Sequence, residues 1–293
     1  MRPNRLRIGV IGASGYVGRQ LGKIAKACGH EVIPFSRFVR PGFRHFPPEG
    51  NADFRGLDAV VNLAGEPILG LWTKSKRRKI LESRVSGTTR VVDSLLAAPD
   101  RPRVLLNASA IGYYGETGED IVAEESPAGA GFLAETCQAW EAATEPASRA
   151  GLRVVRLRIG FVVGPGGAMS LILPMFRYGL GGNLGNGRQW MSCIHVDDVA
   201  GMILWCLENE AISGAVNAVM PEPVRNADFT RELAAAIHRP AILPAPAFAL
   251  RLALGELSRV MLDSVRVVPN VAQSLHYKFD FPSLSAAFAP LAK

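Results

Sequence analysis

Arg7-Ile8-Gly9-Val10-Ile11-Gly12-Ala13-Ser14-Gly15-Tyr16-Val17-Gly18 is the stretch on which the fold turns. Ile8, Val10 and Ile11 spell a short buried strand, and the glycines after them a turn that opens a helix. Val17, Leu21, Ile24 and Cys28 recur at steps of four, three and four, on one helical face, and Gly29 stands where a C-terminal cap glycine belongs. Strand, glycine turn and helix together make a phosphate cradle. The first N–H groups of a helix lack intrahelical partners and carry partial positive charge, and glycine lets backbone approach a pyrophosphate where a Cβ would clash. The spacing is Gly12-x-x-Gly15-x-x-Gly18, not the G-x-G-x-x-G of the simpler dehydrogenases, so the flanking strand and helix carry much of the argument. Gly12, Ser14, Gly15, Tyr16, Val17 and Gly18 are the residues it assigns to a dinucleotide.

Downstream, Glu31-Val32-Ile33-Pro34-Phe35-Ser36-Arg37 reads as a second strand, whose end faces the adenosine ribose in a doubly wound fold. An acidic residue there would accept the 2′-hydroxyl of NAD; the residues present are Phe35, Ser36 and Arg37. A hydroxyl and a guanidinium suit a 2′-phosphate, which favours NADP(H) over NAD(H). Arg19 adds charge at the same end.

Composition bounds the rest. A chain of 293 residues with 48% hydrophobic and 20% charged residues fits one large α/β domain with a smaller lobe. The net charge of +7 suits an anionic ligand without implying nucleic acid. Cys28, Cys137, Cys193 and Cys206 form no C-x-x-C pair, which argues against a zinc ribbon or disulfide scaffold and fits a reducing cytoplasm. The longest uncharged run, Ile159 to Phe176, holds Pro165, Pro174 and several glycines, too many breaks for a membrane helix. No signal peptide is evident, and no metal cluster. The basic run Lys74 to Lys79 opens a helix and lacks the interleaved aromatics of a single-strand binder, so it reads as a solvated helix face. The expected partner is a small-molecule substrate of a cytoplasmic monomer or homodimer, not nucleic acid or membrane.

Asp58 to Pro67 reads as a short apolar strand ending in Leu63, Ala64 and Gly65, small enough for backbone contact with a flat cofactor. Arg103 to Gly115 is another, ending in Ser109 and the phenols of Tyr113 and Tyr114. Residues 39–54 read as loop. Gly12-x-x-Gly15-x-x-Gly18, Asn62-Leu63-Ala64-Gly65, Ser109-Ala110 with Tyr114-Gly115, Glu125-Ser126-Pro127, Arg158, Val163-Gly164-Pro165 and His195-Val196-Asp197-Asp198-Val199 occur in the order seen in extended short-chain dehydrogenases/reductases. The chain resembles the NAD(P)-dependent epimerase/dehydratase family. Leu63-Ala64-Gly65-Glu66-Pro67, Gly112-Tyr113-Tyr114-Gly115, Trp140-Glu141 and Gly187-Arg188-Gln189 are similar to its "epimerase family" oxidoreductase branch, which carries its own C-terminal domain. The resemblance adds Ala108 and the Ile159-Gly160-Phe161-Val162 stretch to the cofactor site, with Ile159, Gly160 and Val162 passing the nicotinamide. It also places Glu66, Arg188, Gln189 and Trp190 at the substrate.

One departure stands out. The superfamily uses a Tyr and a Lys four apart on one helix, the lysine and ribose lowering the phenol's pKa. Tyr16, Tyr113, Tyr114, Tyr178 and Tyr277 have no lysine four residues on. Counting back from Glu141 puts Leu133 at the Tyr position and Cys137 at the Lys position. A leucine exchanges no proton, and a thiol cannot replace an ammonium. Two readings follow: an enzyme with another acid/base, Tyr113 or Tyr114 near a substrate-holding Ser109, with Glu116, Glu141 and His195 behind them; or a non-catalytic NADP(H)-binding sensor or regulatory protein.

In the second half, residues 152–163 read as one strand with Arg156 and Arg158 on a polar-lined side. An Asp of His195-Val196-Asp197-Asp198 reads as a helix N-cap rather than a metal ligand. The expected fold is α/β: a Rossmann-like doubly wound parallel sheet over 1–165 and 193–220, with a smaller mixed substrate lobe and C-terminal domain over 166–192 and 221–293. The implied activity is an NADP-dependent oxidoreductase or epimerase-like reaction on a small carbonyl or hydroxyl compound.

Overall fold

The computed structural model describes residues 5–292. A parallel strand covered on both faces has to be apolar along its buried length, and β1 (Arg7–Ile11) meets that condition from Ile8 to Ile11, with Ile8 and Val10 fully buried. On one side β1 pairs with β2 (Glu31–Ser36), and β2 with β3 (Arg44–His45). On the other it pairs with β4 (Ala59–Asn62), followed by β5 (Val104–Ala110), Arg153–Ile159 and Gly214–Ala218. All seven strands are parallel. The chain winds outward from β1 in both directions, so the crevice where strand order reverses opens between the C-terminal ends of β1 and β4.

Two cores sit on the two faces, divided by the period of two along each strand. Val10, Val61, Leu106 and Leu157 enter the core closed by α1 (Tyr16–Ala27) and the helix Val196–Glu208. Ile11, Val60, Leu105 and Val154, each on the opposite side of its strand, enter the core closed by α2 (Lys74–Ala97). The end of α1 follows its sequence signal: Gly29 takes φ +87°, its N–H reaches the Lys26 carbonyl at 3.1 Å, and that of His30 reaches Ala25 at 2.9 Å.

Three readings of the sequence need correction. Residues 39–54 are not all loop: Arg44–His45 adds an edge strand, and Phe46 and Phe54 are buried beneath it. Residues 152–163 are two strands, not one. The chain leaves the large sheet at Gly160, where a Cβ would lie 2.4 Å from the Ser192 carbonyl, and Phe161–Val163 pairs instead with Cys193–His195. The N-cap of Val196–Glu208 is His195, whose Nδ1 accepts the Asp197 N–H at 3.3 Å, while Asp198 accepts the N–H groups of Asp280 and Phe281.

A third core gathers Val163, Leu173, Phe176, Phe229, Leu233 and Phe288. The C-terminal segment also reaches the sheet: Ala272 joins the first core, and the Tyr277 hydroxyl donates to the Asp198 carbonyl at 3.3 Å. Among the described residues no helix is long and apolar enough to cross a membrane.

Candidate functional site

The turn after β1 lies at the strand-order reversal. Gly12 has φ +88°, and a Cβ on it would lie 2.8 Å from the Leu63 carbonyl carbon, so only glycine lets the two loops touch. A Cβ on Gly18 would lie 2.4 Å from the Gly12 oxygen, which fixes α1 against the turn. Gly15 caps α1 without a side-chain bond, and the first N–H to find a carbonyl is that of Arg19, on Gly15 at 2.9 Å. Among the described residues the N–H groups of Tyr16, Val17 and Gly18 have no protein acceptor. Uncapped donors at a helix N-terminus, beside exposed Ser14 and Gly15, fit the diphosphate of a dinucleotide. The Arg19 guanidinium folds back onto the Ser14 carbonyl at 2.5 Å. The Tyr16 side chain does not face the cradle: its ring lies against Gly166 and Gly167, and its hydroxyl is buried without a partner among the described residues.

At the end of β2, Ser36 Oγ accepts the Phe38 N–H at 3.1 Å, and exposed Arg37 has no side-chain bond to protein among the described residues. Glu66, expected at the substrate, instead binds Lys76 Nζ at 2.7 Å. That ammonium holds its carboxyl below the usual range, with Lys79 and Arg37 adding to the effect. The basic run is thus more than a solvated face, because Lys76 reaches back to the loop after β4. The sequence hid this, since ten residues separate Lys76 from Glu66.

Under the C-terminal edge of β5 lies a buried polar network. Arg158 donates to both oxygens of Glu141, at 2.8 and 2.9 Å, and to the Tyr114 hydroxyl at 2.9 Å. Tyr114 donates to Asn217 Oδ1 at 2.8 Å, and Ser109 Oγ donates to Glu141 Oε1 at 2.7 Å. Both Ser109 and Tyr114 lie inside this network. Ser109 is buried and its hydroxyl donates to Glu141, so it supports the ion pair. Tyr114 is buried with its hydroxyl committed, and burial pushes that phenol up to about 12. The polar-lined side of the strand faces inward here, and Arg158 is 4% exposed. Tyr113 differs: it is half-buried, its ring lies 3.5 Å from the Arg158 guanidinium, and its hydroxyl has no protein partner among the described residues. Glu116 is taken by the Ser264 N–H at 2.9 Å, and the His195 ring stacks on Phe281 with centroids 3.8 Å apart.

The helix expected to carry the acid/base pair is α3 (Phe132–Ala142). Leu133 packs toward Gly112, and Cys137 is buried, its thiol pushed up to about 12 by that burial. A second polar network joins α3 to the sheet: Trp140 Nε1 donates to Thr88 at 2.9 Å, and Asn62 Nδ2 donates to Thr88 and Asn107 at 3.0 and 2.7 Å. One turn before Thr88 stands Arg84, which the sequence reading missed. Its guanidinium lies 4.9 Å from the Trp140 ring and 3.3–3.4 Å from where a Gly65 Cβ would be. Its Nη1 donates to the carbonyls of Glu66 and Ile80. Nothing in Leu81-Glu82-Ser83-Arg84-Val85 marks it; only its nearness to Gly65 and Glu66 does.

Ala108 is buried within β5. Beyond Ile159, the Gly160 N–H is held by the Ala218 carbonyl and that of Phe161 by Ser192, both at 2.9 Å, while Val162 lies in the strand paired with Cys193–His195. The remaining substrate candidates are not brought together as expected. Gln189 is buried and its amide ties the Leu184 and Met261 carbonyls, a packing role. Trp190 lies between Arg225 and Arg266, at 3.8 and 4.2 Å, and its indole donates to Glu119 at 2.9 Å. Arg188 is exposed and its carbonyl is bound by Arg225. Among the described residues no group of three or more His, Cys, Asp or Glu side chains could hold a metal ion.

Residues 8–218 match the NAD dependent epimerase/dehydratase family, and residues 245–291 match a domain of unknown function, DUF1731. The "Epimerase family protein SDR39U1 homolog, chloroplastic" of Arabidopsis thaliana is 36% identical, over 96% of this chain and 85% of that protein. The "Epimerase family protein YfhF" of Bacillus subtilis is 34% identical, over 98% of each. The crystal structure of the human epimerase family protein SDR39U1 (isoform2), solved with NADPH, superposes with a TM-score of 0.90 at 31% identity, covering 98% of this chain and 99% of that one.

Proposed function

The chain belongs to the NAD dependent epimerase/dehydratase family, and on that premise we propose that it binds NADP(H) and catalyses a redox or epimerisation step on a small carbonyl or hydroxyl compound. The observation that carries the cofactor assignment is the uncapped N-terminus of α1 at the strand-order reversal, with Arg37 rather than a carboxylate at the end of β2. The relative solved with NADPH supports the same choice. When bound, the nicotinamide supplies a hydride donor or acceptor. The chain's own part is to fix the diphosphate on α1, to hold the 2′-phosphate with Arg37, Lys76 and Lys79, and to move one proton at the substrate oxygen. Tyr113 is the residue assigned to that proton, because its hydroxyl is uncommitted whereas those of Ser109 and Tyr114 are bound within the protein.

The second reading, a non-catalytic NADP(H) sensor, is favoured by Leu133 and Cys137 on α3. One experiment separates the two. Binding of NADPH and NADH is compared by calorimetry, and a panel of aldehydes, ketones and quinones is then followed at the NADPH absorbance. NADPH is expected to bind roughly ten- to a hundredfold tighter than NADH, a preference that Arg37→Ala removes. Equal affinities would defeat the NADP assignment. Turnover lost in Tyr113→Phe supports the enzyme, and absence of turnover across the panel supports the sensor.

A further inference from the structure

The helix Ala247–Leu254 is apolar at every position except Arg251, yet none of its residues is buried. A helix apolar on all sides ordinarily lies inside a fold, so this one lacks a cover. Phe248 and Leu252, one turn apart on the same side, are 74% and 87% exposed. The helix Met169–Arg177 repeats the pattern: Leu171, Met175 and Tyr178, the last just past its end, follow at steps of four and three, and all three are exposed.

The two helices belong to one surface. Arg239 Nε donates to the Arg177 carbonyl at 3.2 Å, at the end of Met169–Arg177. The N–H groups of Leu243 and Ala245 then donate to the carbonyls of Gly181 and Asn183, at 3.1 and 2.8 Å, and lead directly into Ala247–Leu254. Leu180, Ile242 and Leu243 are exposed along this seam. The apolar side chains therefore form a tract rather than scattered single residues.

Its charge has one sign. No Asp or Glu occurs from 164 to 196 or from 233 to 255, whereas Arg177, Arg239 and Arg251 stand exposed among the apolar residues. Among the described residues none of the three forms an ion pair. Side chains exposed as far as Phe248 and Leu252 project from the surface instead of lining a cleft, so they suit a soft medium that closes around them better than a rigid partner.

We infer that this face docks on the surface of a bilayer containing anionic lipid, with Phe248, Leu252 and Tyr178 entering the boundary between headgroups and acyl chains and the three arginines meeting lipid phosphates. The described chain lies on the membrane without crossing it, since no described helix is long and apolar enough to span one. Sequence alone pointed to no membrane partner, because a spanning helix is a property of one run. This face joins two distant segments that only the fold brings together.

The test is co-sedimentation of the intact chain with two sets of vesicles, phosphatidylcholine alone and three parts phosphatidylcholine to one part phosphatidylglycerol, each at low and high salt. NADPH is left out, so the outcome does not depend on the cofactor reading. Binding is expected on the anionic vesicles only, and weaker at high salt. Phe248→Ser with Leu252→Ser is expected to lower that binding at least about tenfold, and Leu171→Ser with Tyr178→Ser likewise. Both pairs should melt within about 2 °C of wild type, because no buried contact is lost. Failure to bind the anionic vesicles, equal binding to both lipid mixtures, or undiminished binding by either serine pair would overturn the inference. So would a large fall in melting temperature of both pairs, since those side chains would then serve packing. A dimer in sedimentation velocity that either pair abolishes would overturn it too, by showing that a second copy covers the face.

Discussion

Arg158 and Glu141 form a two-pronged ion pair, Nε to Oε1 at 2.8 Å and Nη2 to Oε2 at 2.9 Å, with side chains 5% and 10% exposed. Burial opposes the arginine's charge, and the carboxylate more than offsets that opposition. The pair joins the strand Arg153–Ile159 to α3 and organises Ser109 and Tyr114 around it. Breaking one partner leaves the other charged and buried. Glu141→Leu and Arg158→Met are each expected to cost about 3–5 kcal/mol in denaturant unfolding, and the double variant less than the sum. Additive losses would show that the two side chains do not act as a pair.

Tyr113 and Tyr114 are adjacent in sequence and unlike in role. Tyr114→Phe removes the acceptor for Arg158 and the donor to Asn217, and should cost about 1–3 kcal/mol of stability. Tyr113→Phe should leave stability within about 0.5 kcal/mol while abolishing any turnover found. Urea titrations of both variants check the pair of outcomes; the reverse ranking would contradict the assignment.

Gly12 and Gly18 set the cradle's shape. In Gly18→Ala the new methyl meets the Gly12 oxygen and the Ala13 backbone, so α1 must move off the turn. A loss of about 1–3 kcal/mol is expected, together with loss of the NADPH-induced rise in melting temperature. An undiminished NADPH shift would mean that the cradle lies elsewhere.

Asp198 provides a pH dependence with a definite sign. Burial raises its carboxyl from 3.8 to about 6, although the Asp280 and Phe281 N–H groups pull the other way. Between those values the folded chain holds a proton that the unfolded chain has released. The group therefore adds stability as pH falls through about 6 and withdraws it as pH rises. Buried His195, whose imidazole is pushed down, works in the opposite sense, so the comparison must isolate Asp198. The unfolding free energy of wild type minus that of Asp198→Asn should grow as pH falls from about 7 to about 4.5. A flat or inverted difference would show that this carboxyl is ionised in the fold.

The four cysteines differ in reactivity. Cys28 is exposed, whereas Cys137, Cys193 and Cys206 are buried with thiols pushed up to about 12 by that burial. Native protein at neutral pH should release one equivalent of thiol to a chromogenic disulfide, and Cys28→Ser none. Rapid labelling of Cys137 would reopen it as a nucleophile.

The glycine stretch, with its flanking strand and helix and the motifs downstream, was enough to predict the Rossmann-like sheet, because that information is local. A buried parallel strand is apolar throughout, a helix repeats every three to four residues, and a positive φ or a close crossing demands glycine at Gly12 and Gly29. The edge strand Arg44–His45 was illegible for the complementary reason: two residues carry no period, and only the exposed edge of β2 makes them a strand.

The site divides in the same way. Arg37, the cradle glycines and the loss of the Tyr and Lys from α3 are read directly from residue identity at fixed spacing. Tertiary structure alone decided where the hydroxyls and charges point. Ser109 and Tyr114 turn inward because the buried pair of Glu141 and Arg158 takes them as partners, Glu141 accepting from Ser109 and Arg158 donating to Tyr114. Arg84 acquires its place from contacts with Gly65 and Trp140, residues distant in sequence that the packing of α2 and α3 on the sheet brings together. Spacing specifies which backbone can cradle a phosphate; the cost of burying each charge determines which side chains remain free to meet a ligand.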